Sequence, residues 1–149
     1  MEDHLGLAVV GELYGCNTEL LKNVDAVEKG MLEAAKAGNA NIVSSTFKHF
    51  DPWGVSGVIV IQESHFAIHT WPEYNYAAVD VFTCGTEMNP KAALKYLKKY
   101  FMCSKIQSSS FKRGNINIIK KRNSENEINI QSREQVSPYL YGQSNHPVI

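Results

Sequence analysis

Residues 54–85 hold a dense set of reactive side chains within otherwise apolar segments. A serine can supply a nucleophilic oxygen, a histidine can move a proton near neutral pH, and a thiol can donate one. The residue types therefore suit nucleophilic, proton-transfer or metal chemistry. The members of this set are Ser56, Glu63, Ser64, His65, His69, Glu73 and Cys84.

The first possibility is a metal site built on His65 and His69. On a helix this spacing would place both rings on one face, but the surrounding pattern is that of a strand. On a strand the two residues are about 13 Å apart, at ~3.3 Å per residue. Zinc–nitrogen bonds are only about 2.1 Å long. We therefore expect no metal site here.

A second possibility is a serine hydrolase that uses Ser64, His69 and either Glu73 or Asp80. The segment contains no Gly-x-Ser-x-Gly nucleophile elbow, and residue types alone are weak evidence for a catalytic triad. We do not favour this interpretation.

A third interpretation comes from three stretches of the sequence. They read ELYGC from residue 12, STFKHFDPWGVSG from residue 45 and ESHFAIHTWPEYNYAAVDVFTCG from residue 63. Over residues 5–101 the chain resembles the short prokaryotic S-adenosylmethionine decarboxylase family. Glu-Ser-His, His-Thr-Trp-Pro-Glu and Phe-Thr-Cys-Gly occur in the order found in that family, which makes the resemblance specific.

The resemblance implies a precursor that cleaves its own Glu63–Ser64 bond into a β chain, residues 1–63, and an α chain, residues 64–149. The Ser64 hydroxyl would attack the Glu63 carbonyl carbon, and elimination and hydrolysis would leave a pyruvoyl group at residue 64. In the family pattern, the position of His69 handles protons during processing and that of Ser56 supports the oxyoxazolidine intermediate. The pyruvoyl cofactor acts as an electron sink through a Schiff base with the substrate amine.

The resemblance also assigns the decarboxylation step and the substrate contacts. Cys84 matches the cysteine that returns a proton to the substrate. Phe50 matches the residue that stacks on adenine, and Glu73 matches the one that hydrogen-bonds the ribose. The implied function is decarboxylation of S-adenosylmethionine for the synthesis of spermidine, a polyamine.

Departures from the family pattern leave alternatives open. Residues 6–8 read Gly-Leu-Ala where relatives usually carry Gly-Arg-His, and Asp51 would offer a carboxylate to a cationic substrate if it faced the pocket. A basic amino acid, arginine or ornithine, is therefore an alternative substrate. A non-catalytic regulatory paralogue is another alternative, although such a protein would be expected to lose Ser64, His69 or Cys84.

Strand geometry places a constraint on the proposed cleavage. In a regular strand from Ser64 to His69, the two side chains point to opposite faces. We therefore expect the cleavage site to lie in an irregular turn before the strand.

The elements that must position these residues follow the order β-α-β-β-β-β-α-β-β. One helix is predicted from residue 17 or 18 to Gly38, and Asn89-Pro90 begins another. This order predicts an α+β fold, a two-layer sandwich with both helices on one face of a mainly antiparallel sheet. Apolar and β-branched runs predict strands at 7–13, 40–50, 55–61, 65–70, 76–84, 105–111 and 115–120. The decarboxylase domain is expected to span residues 1–122, and the polar residues 123–149 to form a tail that is extended or partly disordered.

Composition restricts the partners. The 149 residues carry 15 basic and 15 acidic side chains, so we expect neither nucleic acid nor an anionic membrane as a partner. Three cysteines without a Cys-x-x-Cys pair fit free thiols in a reducing cytosol. We expect a cytoplasmic enzyme with a small-molecule substrate. Because a two-layer fold leaves one sheet face open, we also expect a homodimer or higher assembly of αβ units.

Overall fold

A computed structural model describes residues 3–130, with side chains for residues 3–125. The chain divides into two compact units, the first of which ends at Asn115. The first unit contains one sheet with the strand order β2-β3-β4-β5-β1-β6, in which every neighbouring pair is antiparallel. The strands are β1 (His4–Tyr14), β2 (Ile42–His49), β3 (Val55–Ile61), β4 (Ser64–Trp71), β5 (Tyr76–Cys84) and β6 (Lys105–Asn115).

Helices α1 (Thr18–Leu21), α2 (Val24–Ala37) and α3 (Pro90–Tyr100) cover one face of this sheet. Each begins at an asparagine whose side-chain oxygen accepts a backbone N–H of the first turn. The predicted helix from residue 17 or 18 to 38 is in fact two helices, because Asn23 caps a new one.

Alternation along the strands separates a core face from an open face. On β4, Phe66 and Ile68 are fully buried against the helices, whereas His65 and His69 are exposed on the other side. The two-layer α+β prediction is confirmed. The open face also carries large apolar side chains that are 36–57% exposed, namely Tyr14, Val58, Val60, Trp71 and Phe111.

The C-terminal part of the prediction is wrong. Strand β6 continues to Asn115, and residues predicted as a strand at 115–120 belong to helix α4 (Ile116–Ile130) of the second unit. The extended tail is also wrong for residues 123–130. The run of lysine, arginine and glutamate that follows residue 119 favours a helix, and this outweighs the β preference of the isoleucines. Residues 131–149 lie outside the described part, and the domain boundary at 122 stays a prediction.

Within residues 3–130, no helix combines the length and apolar character that crossing a bilayer requires.

The Thr70 hydroxyl ties β4 and β3 to the helical layer. It accepts the N–H of Val55 at 2.8 Å and donates to the carbonyl of Leu21 at 2.8 Å, and Thr70 is only 6% exposed. A buried backbone group that loses such a hydrogen-bond partner lowers the stability of the fold, because water cannot reach it to replace the partner.

We expect Thr70→Val to lower the free energy of unfolding by about 2 kcal/mol, because it leaves a buried N–H and a buried carbonyl unpaired. Thr70→Ser keeps the hydroxyl and should lose clearly less. Urea unfolding of the two variants checks this, and equal losses would contradict the role of the hydroxyl.

Candidate active site

Strands β3 and β4 form a hairpin with a two-residue turn, Gln62 and Glu63, so that Ile61 pairs with Ser64. Ser64 is the first residue of β4 and has a φ of 150°, which residues other than glycine rarely adopt. The sequence predicts the cleavage site in an irregular turn before the strand; in the structure Glu63 lies in that turn, whereas Ser64 is already the first residue of β4 and has the irregular φ. The Glu63–Ser64 peptide bond therefore lies where a tight turn joins a strained strand end.

Glu63 is held at both its backbone and its side chain. Its carbonyl oxygen accepts the N–H of Cys84 at 2.8 Å. Its carboxylate accepts the side-chain amide of Asn41 at 2.6 Å and the backbone N–H of Asn41 at 3.2 Å. The N–H of Gln62 in turn donates to the carbonyl of Asn41 at 2.8 Å. The turn is thus fixed between the start of β2 and the end of β5.

These contacts also set the charge of Glu63. Burial alone would raise its pKa, but hydrogen bonds from backbone amides and from Asn41 outweigh burial and lower the pKa. The carboxylate is therefore ionised at neutral pH. Sequence reasoning missed Asn41, because a neutral amide at a strand edge gives no signal until the turn beside it is known.

Ser64 lies beside the cysteine predicted to act as a proton donor. The Ser64 Oγ is 3.5 Å from the Sγ of Cys84, which is exposed at the end of β5. Glu63, Ser64 and Cys84 form one group, which we call the Ser64 cluster.

Ser56 and His69 form a second group. They face each other across β3 and β4, and the Ser56 Oγ lies 2.8 Å from the His69 Nδ1. The structure therefore joins the two residues predicted to take part in processing. We call this pair the His69 cluster.

An aromatic row extends from the His69 cluster across the open face. The ring centres of His69 and Trp71 are 6.5 Å apart, those of Trp71 and Tyr76 are 5.4 Å apart, and those of Tyr76 and Tyr14 are 5.5 Å apart. The Tyr76 hydroxyl donates to the Glu12 carboxylate. Burial, together with this hydrogen bond, raises the pKa of Tyr76. Sequence analysis did not identify this row, although the alternation of β4 and β5 places its members on one face.

The Ser64 and His69 clusters lie at opposite ends of β4. His69 is five positions after Ser64, which corresponds to about 16 Å along a strand. Within one chain, His69 therefore cannot act on Ser64 directly.

The predicted substrate-binding residues belong to the His69 end. Phe50 follows β2, is 48% exposed, and has the Lys48 ammonium 5.4 Å from its ring centre. Glu73 is exposed in the short 3-10 helix Pro72–Tyr74 that follows β4. Asp51 is fully exposed, and its carboxylate lies 3.8 Å from the Nδ1 of His49.

A cavity of about 550 Å³ lies between β1, β6 and the start of α3, and it is lined by residues such as Leu7, Val9 and Ser108 rather than by the predicted site residues. Among the described side chains, no group of three or more His, Cys, Asp or Glu residues could hold a metal ion.

Comparison with known proteins agrees with the resemblance of the sequence. Residues 7–114 match the family model described as S-adenosylmethionine decarboxylase. The S-adenosylmethionine decarboxylase proenzyme of Acidithiobacillus ferrooxidans is 50% identical over 115 residues, which cover 77% of this chain and 86% of that protein. The proenzyme of Thermosipho melanesiensis is 52% identical over 110 residues, covering 74% and 85%. The crystal structure of the adenosylmethionine decarboxylase from Aquifex aeolicus superposes with a TM-score of 0.70 at 33% identity, covering 76% of this chain and 93% of that one.

The contacts of Glu63 predict a pH-dependent loss of stability in Asn41→Ala. Folding lowers the pKa of Glu63, so the ionised carboxylate stabilises the folded state. This stabilisation is complete above the usual glutamate pKa of about 4.3, and it is lost as the pH falls through the lower pKa of the folded state. We expect Asn41→Ala to lower the free energy of unfolding by about 1 kcal/mol at neutral pH and by less near roughly pH 3.

Urea unfolding in a Ser64→Ala background, which should remain a single chain, measures both values. Asn41→Asp is the matched variant, since it keeps the shape but places a second negative charge beside Glu63, and it should lose more than Asn41→Ala at neutral pH. Losses that do not change with pH would show that Asn41 does not act through the Glu63 carboxylate.

Proposed function

The chain belongs to the S-adenosylmethionine decarboxylase family, and from this we propose that it is a self-processing, pyruvoyl-dependent decarboxylase of S-adenosylmethionine. The observation that carries the proposal is the geometry at residues 63 and 64. The Glu63 carbonyl, which precedes Ser64, already accepts a hydrogen bond from the Cys84 N–H. The backbone of Ser64 itself is strained.

This geometry supports self-cleavage. When the Ser64 Oγ attacks the Glu63 carbonyl carbon, negative charge develops on the oxygen that the Cys84 N–H contacts at 2.8 Å. A donor at that distance stabilises the charge as it forms. The C–O bond forms first, as the Ser64 hydroxyl loses its proton. The C–N bond of this intermediate then breaks and the nitrogen takes up a proton, so the peptide becomes an ester and the backbone constraint at Ser64 is released.

A base then removes the Ser64 α-proton, and the ester bond breaks. The segment 1–63 leaves with a new C-terminal carboxylate at Glu63. Water hydrolyses the remaining dehydroalanine through its imine form, which releases ammonia and leaves a ketone at residue 64. This pyruvoyl group supplies the electron sink for decarboxylation. Ser64 is the residue from which it forms, and the Cys84 thiol lies close enough to return a proton on the same side.

The separation of the two clusters supports a dimer. His69 and Ser56 are suited to proton transfer during processing, but they lie about 16 Å from Ser64 in the same chain. A second copy packed in the opposite direction on the open face would bring its His69 cluster to the Ser64 cluster of the first. A two-fold symmetric dimer would contain two such sites. Each site would combine the Ser64 cluster of one copy with the His69 cluster, Phe50 and Glu73 of the other. The same contact would cover the exposed apolar side chains of the open face.

The substrate follows from the family. Phe50 offers an exposed aromatic surface for a purine, and Glu73 offers a carboxylate for ribose hydroxyls. Asp51, which could favour arginine or ornithine, is fully exposed, so no contact supports that alternative. The product would serve as an aminopropyl donor for spermidine synthesis in the cytoplasm.

Carbon dioxide release tests the proposed activity. Purified protein should release it from S-adenosylmethionine and not from arginine, ornithine or lysine, whereas Ser64→Ala should remain uncleaved and inactive because no ketone can form. Release from a basic amino acid alone would overturn the substrate, and turnover by Ser64→Ala would overturn the pyruvoyl mechanism.

Mixed dimers test whether the site is shared. Ser64→Ala cannot be cut, and His69→Ala should be cut about 10²-fold or more slowly, the size of a general acid–base contribution. When the two are coexpressed with tags of different length, the His69→Ala chain should be cleaved, because its partner supplies His69.

The control pairs His69→Ala with the double variant Ser64→Ala/His69→Ala, which supplies no histidine and should restore no cleavage. Equal cleavage in the mixed dimer and in this control would contradict a site formed by two copies.

A further inference from the structure

A pair of cysteines that the proposed reaction does not use meets in the core of the first unit. Cys16 follows β1 and Cys103 follows α3, and they are 2% and 7% exposed. Their Sγ atoms are 2.6 Å apart, and both are free thiols in this structure. Because a disulfide bond is about 2.05 Å long, a shift of about 0.5 Å would be enough to form one.

The backbone holds the two thiols together from both sides. The N–H of Asn17, next to Cys16, donates to the Phe101 carbonyl at 2.8 Å. The N–H of Ser104, next to Cys103, donates to the Tyr14 carbonyl at 3.0 Å. Main-chain pairing therefore holds the two cysteines side by side.

The surroundings favour reaction of this pair. The hydrogen bond from the Cys16 thiol lowers the pKa of Cys103 against the effect of burial, and the charge of Lys98 acts in the same direction. The same hydrogen bond, followed by burial, raises the pKa of Cys16. A lowered pKa favours the thiolate of Cys103, and the thiolate is the form of a cysteine that attacks a disulfide.

We propose that Cys16 and Cys103 form a disulfide bond and that this bond joins the two products of self-cleavage. The second part rests on the proposed function, because Cys16 lies within residues 1–63 and Cys103 within residues 64–149. The oxidant is a low-molecular-mass disulfide such as glutathione disulfide. The Cys103 thiolate attacks it and releases one thiol, and Cys16 then displaces the second, so two protons and two electrons leave the pair. Cys84 stays reduced for its role beside Ser64.

Electrophoresis tests the covalent link. After treatment with glutathione disulfide, cleaved protein should migrate as one species of 16.7 kDa without reductant and as two fragments with reductant. Cys103→Ser should give two fragments under both conditions. The disulfide closes a span of 87 residues, so oxidation should also raise the Tm of the Ser64→Ala chain by about 10 °C.

Thiol counting separates this proposal from the proposed function. The uncleaved Ser64→Ala chain, oxidised, denatured and alkylated, should show one reactive thiol in place of three, with residues 16 and 103 in one linked peptide. Three reactive thiols, or a link that includes Cys84, would overturn the disulfide. If wild-type protein failed to cleave but showed one thiol, the disulfide would stand and the proposed self-processing would fall.

Discussion

The two-residue turn between β3 and β4 fixes the register of that hairpin, and the placement of both clusters depends on this register. Ile61 pairs with Ser64 across the turn, so five steps back along β3 and five forward along β4 lead to the pair Ser56 and His69. A shift of one residue would move His69 to the helix-covered face and break the contact with Ser56. The same turn places the Glu63 carbonyl against the N–H of Cys84. A small local feature thus defines the geometry at both ends of a strand.

If the proposed function holds, this register leaves the site of one chain incomplete. The helices pack on one face of the sheet and form the core there, where Phe66 and Ile68 are fully buried. Reactive and aromatic side chains lie on the other face. The two clusters are too far apart to cooperate along one strand, although His69 and Cys84 both lie on exposed positions of the sheet. A second copy in the opposite orientation would bring unlike clusters together and remove apolar surface from water in the same step. Association and chemistry would then depend on one surface.

Local patterns in the sequence predicted most of the fold but few of the contacts. Runs of apolar and β-branched residues predict the strands at 55–61 and 76–84. The resemblance indicates Ser56, Ser64, His69 and Cys84 as the functional residues. The segment 115–120 was assigned wrongly because a short isoleucine-rich run fits a strand as well as a helix. The contact of Asn41 with Glu63 could not be predicted, since it joins positions 22 residues apart through a turn whose length was unknown. The separation of the clusters could have been read from the register, once the turn was placed.

The strand order also indicates that the proposed cleavage after residue 63 would not separate the two products. The segment 1–63 contributes β1, β2 and β3, and the segment from 64 onward contributes β4, β5 and β6, yet the sheet order places β1 between β5 and β6. After a cut in the turn, β3 would remain paired with β2 and β4, and β1 with β5 and β6. Separating the segments would require breaking three ladders and exposing the core, whereas the cut removes only one peptide bond. The contacts that hold Glu63 come from distant parts of the chain and exist only in the folded sheet. Folding would therefore have to precede the proposed cleavage, and by then the two products would be interleaved.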